Sequence, residues 1–111
     1  MARIDAFLKL GLAQGCSDVH LAVGVPPMLR LHGDLMPIKF RDLTDAELEG
    51  YVDEILTDSQ RERFRGGNDL DFSYVSSDGG RFRVNLYRKA TGIGATFRNI
   101  PTQIPTLDSL N

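Results

Sequence analysis

Between Leu70 and Arg98 the apolar residues fall on every second position, and this period constrains the fold more than any other feature of the chain. Leu70, Phe72 and Tyr74 alternate with Asp71 and Ser73, and Phe82, Val84 and Leu86 alternate with Arg81, Arg83, Asn85 and Tyr87. Ile93, Ala95 and Phe97 leave Thr96 and Arg98 on the other side. Successive side chains of a strand point to opposite faces, so each run reads as a strand with one apolar face and one polar face. Ser77-Asp78-Gly79-Gly80 supplies turn residues between the first two, and connections this short join antiparallel strands.

Upstream the pattern changes. Ile4, Phe7, Leu8 and Leu12 recur at helical spacing, with Gly15 placed to end the helix in a left-handed conformation. Val19 to Val23 and Met28 to Leu31 are short strands around the breakers Gly24 to Pro27. Leu35 to Phe40 forms a third after the Gly33-Asp34 turn, and Pro37, which lacks an amide donor, belongs on an edge or at a bulge. Two capping boxes follow, Thr44 with Glu47 and Thr57 with Gln60. The first opens a helix with Leu48, Tyr51, Val52, Ile55 and Leu56 on one face, and the second a shorter helix containing Phe64 and stopped by Gly66-Gly67. The expectation is an α+β domain, an antiparallel sheet of about six strands with helices packed on one face.

Composition bounds the rest. A chain of 111 residues with 41% apolar and 25% charged residues is long enough for one core and too ordinary in makeup for a disordered or fibrous protein. The single cysteine, Cys16, makes no internal disulfide, and without a signal peptide pattern a cytoplasmic location is expected. The longest runs without a charged residue are too short to span a bilayer, so no membrane span is expected. From residue 101 onward the chain reads as a semi-rigid linker set by Pro101 and Pro105, and its cut-off helix start at Thr106 suggests a larger parent.

The net charge of −2 is unevenly spread. Nine acidic residues lie between Thr44 and Asp71, whereas Gly79 to Leu107 holds Arg81, Arg83, Arg88, Lys89 and Arg98 with no acid. Two registers of the last hairpin keep its apolar sets together. One places Arg83 directly opposite Arg98; the other makes Thr91-Gly92 the turn, sets Arg98 opposite Asn85 and leaves it diagonal to Arg83. In either, two or three guanidiniums share a patch. Such a patch is a solvated face with acids supplied from elsewhere in the fold, or a site for an anion whose oxygens match the guanidinium fork.

Other residues carry less. His20 and His32 have no partners at metal-ligand spacing, so no metal site is expected and both read as satisfied or exposed. Cys16 reads as a small buried thiol. Ser17-Asp18 with His20 is not a triad, because neighbours along a strand point to opposite faces. The Gly-x-x-x-x-Gly-Lys-Ser/Thr loop that cradles a nucleotide triphosphate does not occur, so no catalytic residue is assigned and this chain alone is not expected to be an enzyme. Nucleic-acid binding is not expected of a net acidic chain whose basic patch has Tyr87 as its one aromatic neighbour.

Several segments, in order, resemble the PilT family of type IV pilus retraction ATPases, members of the secretion ATPase superfamily. They are Ser17-Asp18-Val19-His20-Leu21, Gly24-Val25-Pro26-Pro27-Met28-Leu29-Arg30, His32-Gly33-Asp34-Leu35, Asp69-Leu70-Asp71-Phe72-Ser73-Tyr74, Arg81-Phe82-Arg83-Val84-Asn85 and Phe97-Arg98-Asn99-Ile100-Pro101. The resemblance implies a PAS-like N-terminal domain over residues 1–100 and an interdomain linker over 101–111, leading to a RecA-like ATPase domain that this chain lacks. It implies a parent that binds ATP with magnesium, assembles as a cytoplasmic homohexamer against the inner-membrane pilus machinery, and drives retraction and twitching motility. No cofactor is expected to bind tightly to this domain alone. Arg83 and Arg98 match the family arginines that approach the nucleotide phosphates, with Arg81 a lesser candidate. The alternative is a free-standing PAS-like module that binds a small ligand or a protein.

Overall fold

The computed structural model describes residues 2–101 as one six-stranded antiparallel sheet with three helices on one face. The order along the chain is α1 (Asp5–Gln14), β1 (Asp18–Ala22), β2 (Met28–Leu31), β3 (Asp34–Pro37), α2 (Asp45–Asp53), α3 (Asp58–Arg65), β4 (Leu70–Val75), β5 (Arg81–Lys89) and β6 (Gly92–Asn99). In space the strands lie β3-β2-β1-β6-β5-β4, which makes β1 and β6 neighbours at the centre. The α+β architecture expected from the alternation is the one observed.

The helix starts follow the local signals, but α2 ends at Asp53, short of the expected Ile55 and Leu56, which lie in the turn before α3. Gly15 closes α1 at φ 81°, the left-handed conformation that costs glycine least. Both capping boxes form: Thr44 accepts from the Glu47 amide and Thr57 from that of Gln60, while each N3 side chain returns to the cap amide. Arg41 adds an ion pair to Glu47 at the start of α2.

Apolar residues that alternate along the strands meet the helices on the inner face. Val19, Leu21, Leu29, Phe82, Val84, Leu86, Ala95 and Phe97 are buried there with Ile4, Leu8, Leu48, Val52 and Phe64. Each fully buried Leu, Val or Phe stabilises by about 1.5–3 kcal/mol, so this layer supplies most of the driving force. Phe82 and Phe97 meet edge to face at 6.5 Å. α1 approaches β1 closely because position 11 is glycine: a Cβ there would meet Cys16 Sγ at 2.7 Å and Val19 Cγ2 at 3.0 Å. The buried carboxylate of Asp5 ties α1 to the far edge of the sheet, accepting from the Tyr74 hydroxyl at 2.6 Å and the Ser77 amide at 2.9 Å. Burial, together with that bond to Asp5, pushes the Tyr74 phenol well above its ordinary range.

The sequence expectation is too long for β3. Ladder pairing stops at Pro37 instead of Phe40, and only the Ile38 amide continues it, by a bond to the Pro27 carbonyl. β3 is an edge strand whose four residues are all exposed, the location where a missing amide donor costs least. The expected linker falls on residues 101–111, of which 102–111 lie outside the described residues.

Candidate functional site

With helices on the inner face, the opposite face of the sheet stays open and carries the polar half of each alternating strand. The register of the last hairpin is the one that sets Arg83 directly opposite Arg98. Asp18 pairs with Arg98 across β1 and β6 and with Arg30 across β1 and β2. Residues in register share a face, so Arg30, Asp18, Arg98 and Arg83 form one row across four strands. The next row holds Met28, His20, Thr96, Asn85 and Asp71. Asp71, Arg83, Asn85, Thr96 and Arg98 line a shallow recess of about 280 Å³ between these rows.

The two arginines are held differently. Arg83 makes a two-pronged pair with Asp71, Nε donating to Oδ1 and Nη2 to Oδ2, both at 3.1 Å. This bond holds the Asp71 carboxyl below its ordinary range and raises the Arg83 guanidinium. Arg98 donates from Nε alone to Asp18 Oδ2 at 3.4 Å. The Asp71 side chain is 52% exposed and that of Asp18 only 4%, whereas the arginines are 67% and 72% exposed. The arrangement therefore has the nearby acids of a solvated face and also the shared, solvent-open recess that an anion needs. Chemically it can donate fixed N–H groups to an oxyanion.

Arg81 stands apart from the recess. It is exposed near the start of β5, opposite Val75, and its carbonyl accepts the Ile100 amide. The third guanidinium of the row is Arg30, whose Nη1 donates to the Gly33 carbonyl at 2.9 Å. Arg88 lies over the Phe64 ring at 4.3 Å and donates to the Phe64 carbonyl, which commits it to holding α3. Parity alone does not divide the basic stretch, since Arg81 and Arg83 share the outward face of β5 and only Arg83 lines the recess.

Sequence reasoning placed Asn85 and Thr96 on the arginines' face but missed Asp18, Asp71 and Arg30 as their neighbours. Their parity was available, since each occupies an outward position of its strand, but the pairing of β1 with β6 was needed to bring Asp18 and Arg30 to the site. His20 departs from expectation. Its Nδ1 lies 3.4 Å from Thr96 Oγ1, while its Nε2 is buried and has no partner among the described residues. Burial lowers its pKa, against an opposing pull from Asp18. Asp18 and His20, two apart on β1, do share a face, but their partners are Arg98 and Thr96, and no triad results. Cys16 is buried, and its thiol is pushed upward by burial and by Asp18, as fits an inert core residue. Among the described residues no three His, Cys, Asp or Glu side chains group as metal ligands, and no helix is long and apolar enough to cross a membrane.

No family model matches the chain. Individual relatives do. The type IV pilus retraction ATPase PilT of Pseudomonas aeruginosa is 36% identical over 107 residues, covering 96% of this chain and 31% of the relative. The crystal structure of the pilus retraction motor PilT with bound ADP superposes with a TM-score of 0.84 at 28% identity, over 97% of this chain and 32% of that one. The chain matches the N-terminal domain of the PilT-type ATPases. A twitching motility protein of Neisseria gonorrhoeae is 33% identical over 84 residues, which are 76% of this chain and 22% of that protein. The chain spans about a third of the length of the PilT proteins it matches.

Proposed function

We propose that this domain is the N-terminal regulatory and assembly module of a hexameric ATPase that powers type IV pilus retraction and twitching motility. In this reading Arg83 and Arg98 reach the phosphates of an ATP held mainly by a RecA-like domain. The observation that carries it is the direct pairing of two exposed guanidiniums over a shared recess on the open face of a PilT-type fold. Arginine so placed acts by neutralising charge on the phosphoryl oxygens, with no covalent role. Residues 1–100 form the module and 101–111 the linker. Magnesium would be held together with the ATP by the RecA-like domain. Neighbouring subunits of the ring and the inner-membrane pilus machinery are its partners, with the cytoplasm as location.

A free-standing ligand-binding module is less well supported. The recess between α2, α3 and the sheet, lined by Val52, Leu56, Phe64 and Ile93 among others, holds only about 50 Å³, room for water and not for a small organic ligand. The test of the motor reading is turnover by the ATPase that carries this domain. Arg83→Ala and Arg98→Ala are each expected to lower the rate by roughly a hundredfold with the fold unchanged. Unaltered turnover in both variants would remove the reading.

A further inference from the structure

We propose that Asp71 is a releasable latch on Arg83, while Asp18 is a fixed post for Arg98. This rests on the phosphate reading above and adds how the two guanidiniums reach their ligand. The two pairs face each other across one ladder step, but their carboxylates differ in what they can do. Asp71 is a half-exposed side chain on β4, the edge strand of the sheet, and it occupies the Nε and Nη2 prongs of Arg83. When that pair opens, water solvates both partners, so separation costs little. The prongs it occupies are the ones that best match two oxygens of a phosphate. A phosphate must therefore either take those prongs from Asp71 or approach a guanidinium whose charge is already cancelled.

Asp18 has no such freedom. Its carboxylate is buried between β2 and β6, in register with Arg30 on one side and Arg98 on the other. Withdrawing Arg98 would leave a desolvated charge poorly compensated, since the Arg30 Nη1 is already bonded to the Gly33 carbonyl. Arg98 donates from Nε to Asp18, and among the described residues its Nη1 and Nη2 have no partner, on a side chain that lines the recess. An arriving polyphosphate thus meets one guanidinium already aimed and one that has to let go. Asp71 sets the threshold for the second, so phosphate must outcompete a carboxylate before both arginines engage. Asp71 and Asp18 act through the arginines and are positioning residues.

The experiment is a titration of this chain with inorganic tripolyphosphate and, in parallel, ATP, followed by the Nε–H resonances of Arg83 and Arg98. Asp71→Asn keeps the shape of the side chain and removes its charge. It is expected to tighten tripolyphosphate binding several-fold and to leave the folded spectrum intact, a gain that a merely structural role for Asp71 would not produce. Asp18→Asn is expected to weaken binding. In the unsubstituted chain the Arg83 resonance should move from its Asp71-bonded position during titration, while that of Arg98 moves little. Binding that is unchanged or weaker in Asp71→Asn, with Arg83→Ala still abolishing it, would overturn the latch and leave the phosphate reading standing. No response at either arginine to tripolyphosphate or ATP, in the unsubstituted chain and in Asp71→Asn alike, would overturn the latch, and the phosphate reading would then stand or fall by the turnover test in the ATPase that carries this domain. Equal tightening for tripolyphosphate and ATP in Asp71→Asn supports a site that reads phosphate alone, and greater tightening for ATP supports one that also contacts the nucleoside.

Discussion

The two faces of the sheet are built from the same six strands and obey different physics. On the inner face Val19, Val84, Phe97 and their neighbours are wholly withdrawn from water, and any loss there is felt as a loss of stability. On the open face Arg83 and Arg98 keep two thirds or more of their side-chain surface in solvent, and the exposed pairing of Arg83 with Asp71 contributes little to folding. The contrast teaches that one alternating strand can be divided into residues that hold the domain together and residues that are free to be used. Asp18 and His20 are exceptions, outward residues of β1 with a buried carboxylate and a buried ring nitrogen.

Substitutions at either face can break or sharpen this division. Phe97→Ala should cost the most, about 3–5 kcal/mol by urea denaturation, because it empties the centre of the inner layer. Gly11→Ala comes next. Alanine normally favours a helix by about 1 kcal/mol over glycine, yet here overpacking against Cys16 and Val19 should give a net loss of about 1–3 kcal/mol. A stabilised Gly11→Ala variant would show that α1 is not pressed against β1 as described.

His20 tests the boundary between the faces through pH. Its folded-state pKa is lowered, so the unfolded chain takes up a proton more readily. The stability it contributes is complete above its ordinary value of 6.5 and is lost as the pH falls from there through the folded-state value. Urea midpoints should therefore drop between pH 7.5 and pH 5.5, and His20→Leu should flatten that dependence. The smallest effect is expected for Arg83→Ala, whose melting temperature should match that of the parent; a clear drop would move Arg83 to the structural side of the division.

Much of the fold could be read from local patterns, because the signals that set it are local. The two threonine caps, Gly15 and the alternation of Phe82, Val84 and Leu86 each act within a few residues, and each element formed where its signal stood. β3 came out shorter because its length depends on a partner strand and on Pro37 at the sheet edge, not on its own apolar content. The site was legible as far as one hairpin reached. Arg83 and Arg98 could be brought together from alternation within neighbouring strands, but Asp18 arrives from a strand 80 positions earlier in the chain, through a β1–β6 pairing that no local pattern reports. The buried nitrogen of His20 stayed hidden for the same reason.

The strand that bears Arg98 also carries the backbone out of the sheet. At its end the Asn99 amide bonds the Ser17 carbonyl and the Ile100 amide bonds the Arg81 carbonyl, so the exit is gripped on both flanks before Pro101. Tension applied past Pro101 would run along the axis of a central strand and be shared by two ladders in shear, where bonds must fail together, instead of unzipping an edge one bond at a time. A guanidinium three residues from that point of attack would thus feel mechanical load and ligand charge through the same short piece of backbone.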